Sequence, residues 1–325
     1  MESEVVRLSA GSLQAAIVPR KGGELSSFVV RWRGQPVETL YRALVYGPTP
    51  SQWTGRAPLL WPQPGRCRAP LRDSGLFDED VGAWEYEGTC FPMPVHGIVR
   101  DLPWSLRECV TEQDYARAVV DLSDDETTRR CFPFAFHLSC TYRLSPRSLV
   151  LEYRVENREA RKSFWFAIGN HVTFNMPFSV AGRFEECSVY SPCTLQYPIG
   201  GDAFINGAPR ELSLSKGRRL SDPVLYDTML GGYSDGKAVV EVSDPVSFGM
   251  RTEQRVVKGN VPESALRFVF WAEPAHCYFC PEPWVGEPDS LNSRNFVVVL
   301  GPGEDFVWEV ELTPLLTPGT EQSTP

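Results

Sequence analysis

Proline narrows what this chain can become more than any other residue. Twenty-eight prolines and 26 glycines are spread through 325 residues. A proline ring fixes φ and removes an amide donor, so helix interiors do not tolerate it. Between these breaks the chain alternates apolar and polar residues over short stretches. In Leu149–Glu156 the apolar Leu149, Leu151, Tyr153 and Val155 share one face, the mark of a half-buried strand. Ser12–Val18 and Glu24–Trp32, joined by Pro-Arg-Lys-Gly-Gly, read as an opening pair. Phe164–Ala167, Ala238–Val242, Leu266–Ala272, Phe296–Leu300 and Phe306–Leu312 read as further strands, and only Asp121–Arg130 hints at a helical turn. Many short strands separated by Gly/Pro turns predict an all-β sandwich or barrel.

The pattern predicts one domain over residues 1–313 and a flexible polar tail over 314–325. Residues 45–100, rich in Pro, Gly, Arg and Trp, read as long loops, which often carry function in compact β proteins. A net charge of -9 argues against a nucleic-acid partner, which needs a basic face. No apolar run approaches the roughly 18 residues of a membrane span. The acidic N-terminus lacks the basic start and apolar stretch of a signal peptide. Nine cysteines without a repeating spacing then fit free thiols in a reducing compartment. The expectation is a cytoplasmic monomer or homodimer acting on a small molecule.

Two of the four histidines lie in loop-like settings rich in Gly, Pro and aromatics. His96 precedes Gly97, with Arg100 and Trp104 close behind. Together they offer a donor, a fixed cation and a flat apolar face, the set that pyranose recognition uses. His171 follows Gly169-Asn170, which would permit an unusual backbone at a strand end. Glu282 stands between Pro281 and Pro283, so the strand Cys277–Cys280 is expected to end there, leaving the carboxylate partly desolvated and suited to act as a base. A surface turn, a satisfied strand-end histidine and a solvated glutamate are the structural alternatives. Cys277 and Cys280 form a C-x-x-C, but positions i and i+3 of a strand face opposite sides and no second pair completes a zinc site. No metal is expected. His137 and His276 read as strand residues without a constellation. The chain lacks the Gly-x-Ser-x-Gly elbow, the Walker A loop and the Rossmann glycines, so acyl transfer, nucleotide hydrolysis and hydride transfer lose their sequence support.

Taken in order, several segments resemble the aldose 1-epimerase (galactose mutarotase-like) family. They are Ala57-Pro-Leu-Leu-Trp-Pro-Gln-Pro-Gly-Arg66; Pro94-Val-His-Gly-Ile-Val-Arg100 with Trp104; Phe132-Pro-Phe with Tyr142 and Leu149–Asn157; Gly169-Asn-His171 with Phe174 and Pro177; Glu282-Pro-Trp-x-Gly; and Pro302-Gly-Glu304. The resemblance covers about residues 10–313. It implies a large antiparallel β-supersandwich with a sugar cleft on one face and cofactor-independent chemistry. Glu282 would be the base on the anomeric hydroxyl and His171 the acid at the ring oxygen. His96, Arg100, Arg66, Asp227 and Trp284 would bind the substrate. Ile98-Val99, where the family more often has an aromatic and a small residue, and Trp61, in place of a typical Phe, place the chain in a divergent branch. Three alternatives to a free-aldose 1-epimerase follow. One is a hexose-6-phosphate 1-epimerase, with Arg56, Arg66, Arg68 and Arg72 meeting the phosphate. A second is a non-catalytic carbohydrate-binding or regulatory protein of the same fold. The third is a lyase or hydrolase on a related scaffold.

Overall fold

The computed structural model describes residues 5–42, 54–68 and 81–316. Strands dominate them, and the α-helices among the described residues are two four-residue turns, Glu126–Arg129 and Ser290–Ser293. Every strand pair is antiparallel, and the architecture is a large antiparallel β-supersandwich.

The longer sheet has nine strands. In spatial order they are Leu214–Arg219, Ser188–Ser191, Lys237–Ser243, Gly249–Lys258, Asp305–Leu315, Leu149–Asn157, Phe136–Leu144, Ala116–Ser123 and Ser105–Thr111. Alternation sets its faces. Leu149, Leu151, Tyr153 and Val155 point inward and are buried, each contributing about 1.5–3 kcal/mol by leaving water. Tyr153 pairs with Trp308 on the neighbouring strand, and their rings stack at 5.4 Å. The outer face is laced with ion pairs such as Arg143–Glu152 at 2.6 Å, which contribute little at a solvated surface.

The sheet that carries the site runs Arg210–Glu211, Leu195–Pro198, Thr228–Gly231, Leu266–Glu273, Tyr278–Val285, Ile168–Asn170 and Leu59–Leu60, with Phe174–Asn175 also paired to Tyr278–Val285. A four-stranded sheet, Val6–Ala10, Leu13–Val18, Glu24–Trp32 and Gln35–Glu38, extends the layer. The main buried cluster draws on these three sheets and on the two-stranded sheet of Phe164–Phe166 and Val298–Leu300, from Phe28 through Tyr153 and Phe166 to Phe279 and Trp308. A smaller cluster of Leu60, Met229, Val269 and Trp284 forms separately. Side chains alternate along Tyr278–Val285. Phe279 and Val285 therefore join the main core, while Glu282 and Trp284 face the other way.

Several expectations need correction. The strand that begins at Tyr278 does not end at Pro281 but runs through both prolines to Val285, paired along its length with Leu266–Glu273. On its other side the ladder is interrupted between Ile168–Asn170 and Phe174–Asn175. The two prolines lie opposite that interruption, where the missing donors are tolerated. Cys277 lies outside the strand, exposed and in a left-handed conformation, whereas Cys280 is buried within it. His276 belongs to the turn Pro274–His276, and His137 lies on a strand. Gly169 keeps an ordinary strand conformation; its use is spatial, since a Cβ there would come within 2.7 Å of the Trp284 ring.

Within Asp121–Arg130 only Glu126–Arg129 is helical, started by Asp125, which accepts from the Thr128 amide at 2.8 Å. Residues 45–100 contain Leu59–Leu60 and the hairpin Val81–Tyr86/Thr89–Pro94. Positions 45–53 and 69–80 of that stretch lie outside the described residues. The last strand continues to Leu315, and 317–325 of the expected tail are outside the described set. Among the described residues no helix is long and apolar enough to cross a membrane.

Candidate active site

Glu282 sits in mid-strand on the face turned away from the main core and is 2% exposed. Trp284, two residues on and therefore on the same face, donates its indole N–H to Glu282 Oε2 at 3.2 Å. The second carboxylate oxygen, Oε1, lies 3.2 Å from His171 Nε2. Burial pushes the Glu282 carboxyl well above the usual carboxylate range, with the Trp284 hydrogen bond opposing it.

His171 lies where the ladder to Tyr278–Val285 is interrupted. Its amide donates to the Pro58 carbonyl at 3.0 Å. The preceding Asn170 uses its side-chain amide to donate to the Ala57 carbonyl at 2.9 Å and the Tyr153 hydroxyl at 2.8 Å. The imidazole position is thus tied to the nine-stranded sheet beneath it. Burial, then the neighbouring His96 and Arg100, hold the His171 pKa well below its ordinary value.

His96 reaches the same place from a loop. Its backbone is left-handed (φ 68°), and Gly97 follows at φ 82°. A Cβ at Gly97 would collide with the Trp61 carbonyl, so glycine is what lets the loop lie against Trp61. The His96 amide donates to the Gly65 carbonyl at 2.8 Å, and the Gly65 amide donates back to His96 Nδ1 at 3.1 Å. An Nδ1 that accepts carries no proton, so the neutral ring is protonated on Nε2. Burial, Arg100 and Arg66 lower the His96 pKa to about 3, which keeps the ring neutral. Its ring lies 5.2 Å from that of His171. Arg100 is held by Asp101, Nε to Oδ2 3.4 Å, and Asp101 in turn pairs with Lys21.

These side chains open on one cleft of about 820 Å³, within the range of small-molecule sites. Glu282, His171, His96, Arg100, Arg66, Asp227 and Trp284 all line it. Asp227 does so from a left-handed position (φ 47°) just before the strand Thr228–Gly231.

Other expected groups are elsewhere. Trp104 is buried, donates to the Val99 carbonyl at 3.2 Å and packs beneath Gly23, so it is a core residue rather than a sugar platform. Among the described residues the arginine cluster does not converge. Arg56 is buried beside Glu24, with Nη1 donating to the Thr54 carbonyl at 2.6 Å. Arg68 lies over the Phe204 ring at 3.9 Å, and Arg72 is outside the described residues. Only Arg66 of the four is seen to line the cleft.

Sequence reasoning missed Trp271, whose ring meets His171 edge-on at 5.9 Å, and the cleft residues Ile199, Ala203 and Val269. Trp271 and Val269 were legible only as strand residues. Their register opposite Cys280 and Glu282 would have placed them in the cleft.

Comparison with known proteins bears on the family and the fold. The aldose 1-epimerase family profile matches residues 4–313. The chain is 26% identical over 171 residues to the plasmid-borne Protein LacX of Lactococcus lactis. That match takes in 52% of this chain and 50% of the relative, so the chain spans about half the length of the curated relatives it matches. A galactose mutarotase related enzyme from Lactobacillus acidophilus superposes with a TM-score of 0.77 at 19% identity, covering 98% of this chain and 100% of the other. The Slr1438 protein from Synechocystis gives 0.75 at 23% identity, covering 98% and 97%. A galactose mutarotase-like protein from Clostridium acetobutylicum gives 0.73 at 18%, covering 97% and 96%. At these identities the structures attest the fold. The family profile goes further, matching from the first strand almost to the end of the last, and the chain belongs to the aldose 1-epimerase family.

Proposed function

We propose that this protein is a cofactor-independent aldose 1-epimerase, with Glu282 and His171 as its acid/base pair. The observation that carries the reading is the 3.2 Å approach of Glu282 Oε1 to His171 Nε2 on the floor of a cleft large enough for a sugar. A protein that only bound sugar would have no need of a buried acid facing a buried base.

The pair holds one titrating proton. Burial alone favours the neutral arrangement, carboxylic acid beside imidazole. A sugar hydroxyl donating to the carboxylate and a ring oxygen accepting from the imidazolium favour the ionised arrangement of the same proton count. From there Glu282 removes the proton from the C1 hydroxyl while His171 Nε2 protonates the ring oxygen O5. The C1–O5 bond breaks, its electrons go to O5, and C1 becomes the aldehyde carbon. Rotation about C1–C2 presents the other carbonyl face. Reclosure returns one proton from the O5 hydroxyl to His171 and one from Glu282 to the new C1 oxygen. The anomer is inverted and the enzyme restored.

His96 Nε2–H donates to a sugar hydroxyl, its tautomer held by the Gly65 amide. Arg100 offsets negative charge that develops on oxygen. Arg66 and Asp227 bind hydroxyls, and Trp284 both orients Glu282 and offers an aromatic face. A free aldose is favoured over a phosphorylated one, because among the described arginines of that cluster only Arg66 lines the cleft, Arg56 being paired with Glu24 and Arg68 lying over Phe204. Nine unpaired cysteines support a reducing compartment such as the cytoplasm.

The test is polarimetry on freshly dissolved α-glucose and α-galactose. Catalytic protein should hasten decay of optical rotation beyond the buffer rate for at least one of them. Decay at the buffer rate, for these and for a wider panel of aldoses, would refute the assignment.

A further inference from the structure

The cleft has two chemically different flanks, and the strand order shows which is which. Glu282 lies on Tyr278–Val285; the strand ending at Asn170 lies on one side and Leu266–Glu273 on the other. His171, His96 and Arg100 all belong to the first side, where the bridge between Trp61 and Gly97 ties the His96 loop to the sheet. On the second side the lining is apolar apart from Asp227. Val269, the cross-strand partner of Glu282, is joined by Ile199 and Ala203. Ile199 packs on the small cluster that holds Val269 and Trp284.

This wall is fixed. Ile199 bridges Ile205 in a tight hairpin closed by the Gly200 amide donating to the Phe204 carbonyl at 2.9 Å. Arg68 holds the hairpin tip by lying over Phe204 at 3.9 Å. Asp227 is the one carboxylate among the described residues lining this flank.

The pose in "Proposed function", on which this step rests, orients the sugar. With the C1 hydroxyl at Glu282 and the ring oxygen at His171, C2 lies across C1 from the ring oxygen and so turns toward Val269. A cleft of about 820 Å³ leaves an unsubstituted pyranose much of its space filled by water. A hydroxyl turned to Ile199 and Val269 and beyond the reach of Asp227 would find no partner. We propose that Val269, Ile199 and Ala203 form a subsite for the apolar part of an acyl substituent on the C2 edge, and that the preferred substrates are 2-acylamino aldoses. Asp227 accepts the amide N–H of such a group, and the acyl methyl meets Ile199 and Ala203.

The experiment measures anomer exchange by magnetisation-transfer NMR on matched sugars: glucose, 2-deoxyglucose and 2-acetamido-2-deoxyglucose, then galactose and its 2-acetamido counterpart. The expected result is a kcat/KM about tenfold or more higher for the acetamido sugars, the range an apolar pocket reaches for a small group. Val269→Thr keeps the side-chain shape but exchanges one methyl for a hydroxyl, so it should lower that ratio. Ile199→Asn should lower it further. Equal kcat/KM for acetamido and parent sugars overturns the subsite while leaving the epimerase reading intact. So does 2-deoxyglucose matching the acetamido sugar, since the wall would then merely reject a hydroxyl. Variants that slow both sugars in parallel also overturn it. Acceleration of no sugar overturns the epimerase reading and the subsite with it.

Discussion

Trp284 donates its indole N–H to the carboxylate of Glu282, two residues earlier on the same strand, at 3.2 Å. Strand periodicity alone places the two side chains on one face, and Gly169 on the neighbouring strand leaves room for the indole. The bond favours the ionised carboxylate against the burial that disfavours it. Trp284→Phe keeps the aromatic bulk and removes the donor, so the Glu282 pKa should rise further. A base must be ionised to work, so the acidic limb of the pH–rate profile should move to higher pH, with kcat reduced at neutral pH. An unmoved limb would mean that Trp284 does not tune the carboxylate.

Stability near the cleft should depend on pH through His96. Its folded pKa of about 3 lies below the unfolded value of about 6.5. Between those values the unfolded chain takes up a proton that the folded one does not. Stability contributed by neutral His96 is therefore present above about pH 6.5 and is lost as pH falls toward 3, with a slope of at most ~1.4 kcal/mol per pH unit, less for the part of the ring that solvent reaches. His96→Gln should flatten the urea midpoint across that window relative to the native chain.

The His96 loop depends on a residue without a side chain. Gly97→Ala would force φ 82° on a Cβ-bearing residue and drive that Cβ into the Trp61 carbonyl. The left-handed conformation alone costs about 1–2 kcal/mol, and relief of the clash must displace His96. The variant should lose at least tenfold in kcat/KM while far-UV circular dichroism still reports a β fold.

Tyr153 supports His171 from the other sheet through Asn170. Tyr153→Phe leaves a buried amide N–H short of one acceptor, although the Ala57 carbonyl remains. The expected cost is about 1–3 kcal/mol in chemical denaturation. A cost near zero would show that Asn170 is held by Ala57 alone.

Sequence periodicity was informative where one face of a strand is buried and the other wet. Leu149–Glu156 shows that alternation, and the strand forms there. It failed where both faces are covered. Tyr278–Val285 is buried throughout, Glu282 included, so no wet face marks the alternation, and its prolines read as a terminus although they lie beside a gap in the ladder. The seven cleft residues were legible as a set only because their short motifs occur in a family order. What hid Val269, Ile199 and Trp271 is that apolar residues lining a cleft look the same in sequence as residues of a core. Trp104 shows the converse, since closeness in sequence to His96 and Arg100 does not decide which way an indole points.

The central claim is that Glu282 and His171 exchange protons with a sugar. The most direct measurement is magnetisation-transfer NMR between the α and β anomers, at equilibrium, with native protein and Glu282→Gln. Gln is nearly isosteric and can still accept the Trp284 hydrogen bond but cannot take a proton. The account predicts accelerated exchange on at least one aldose, falling by about 10²–10⁴-fold in a variant whose melting temperature is unchanged or raised, because a disfavoured buried carboxyl has been removed. Exchange that persists at the native rate in Glu282→Gln would contradict it.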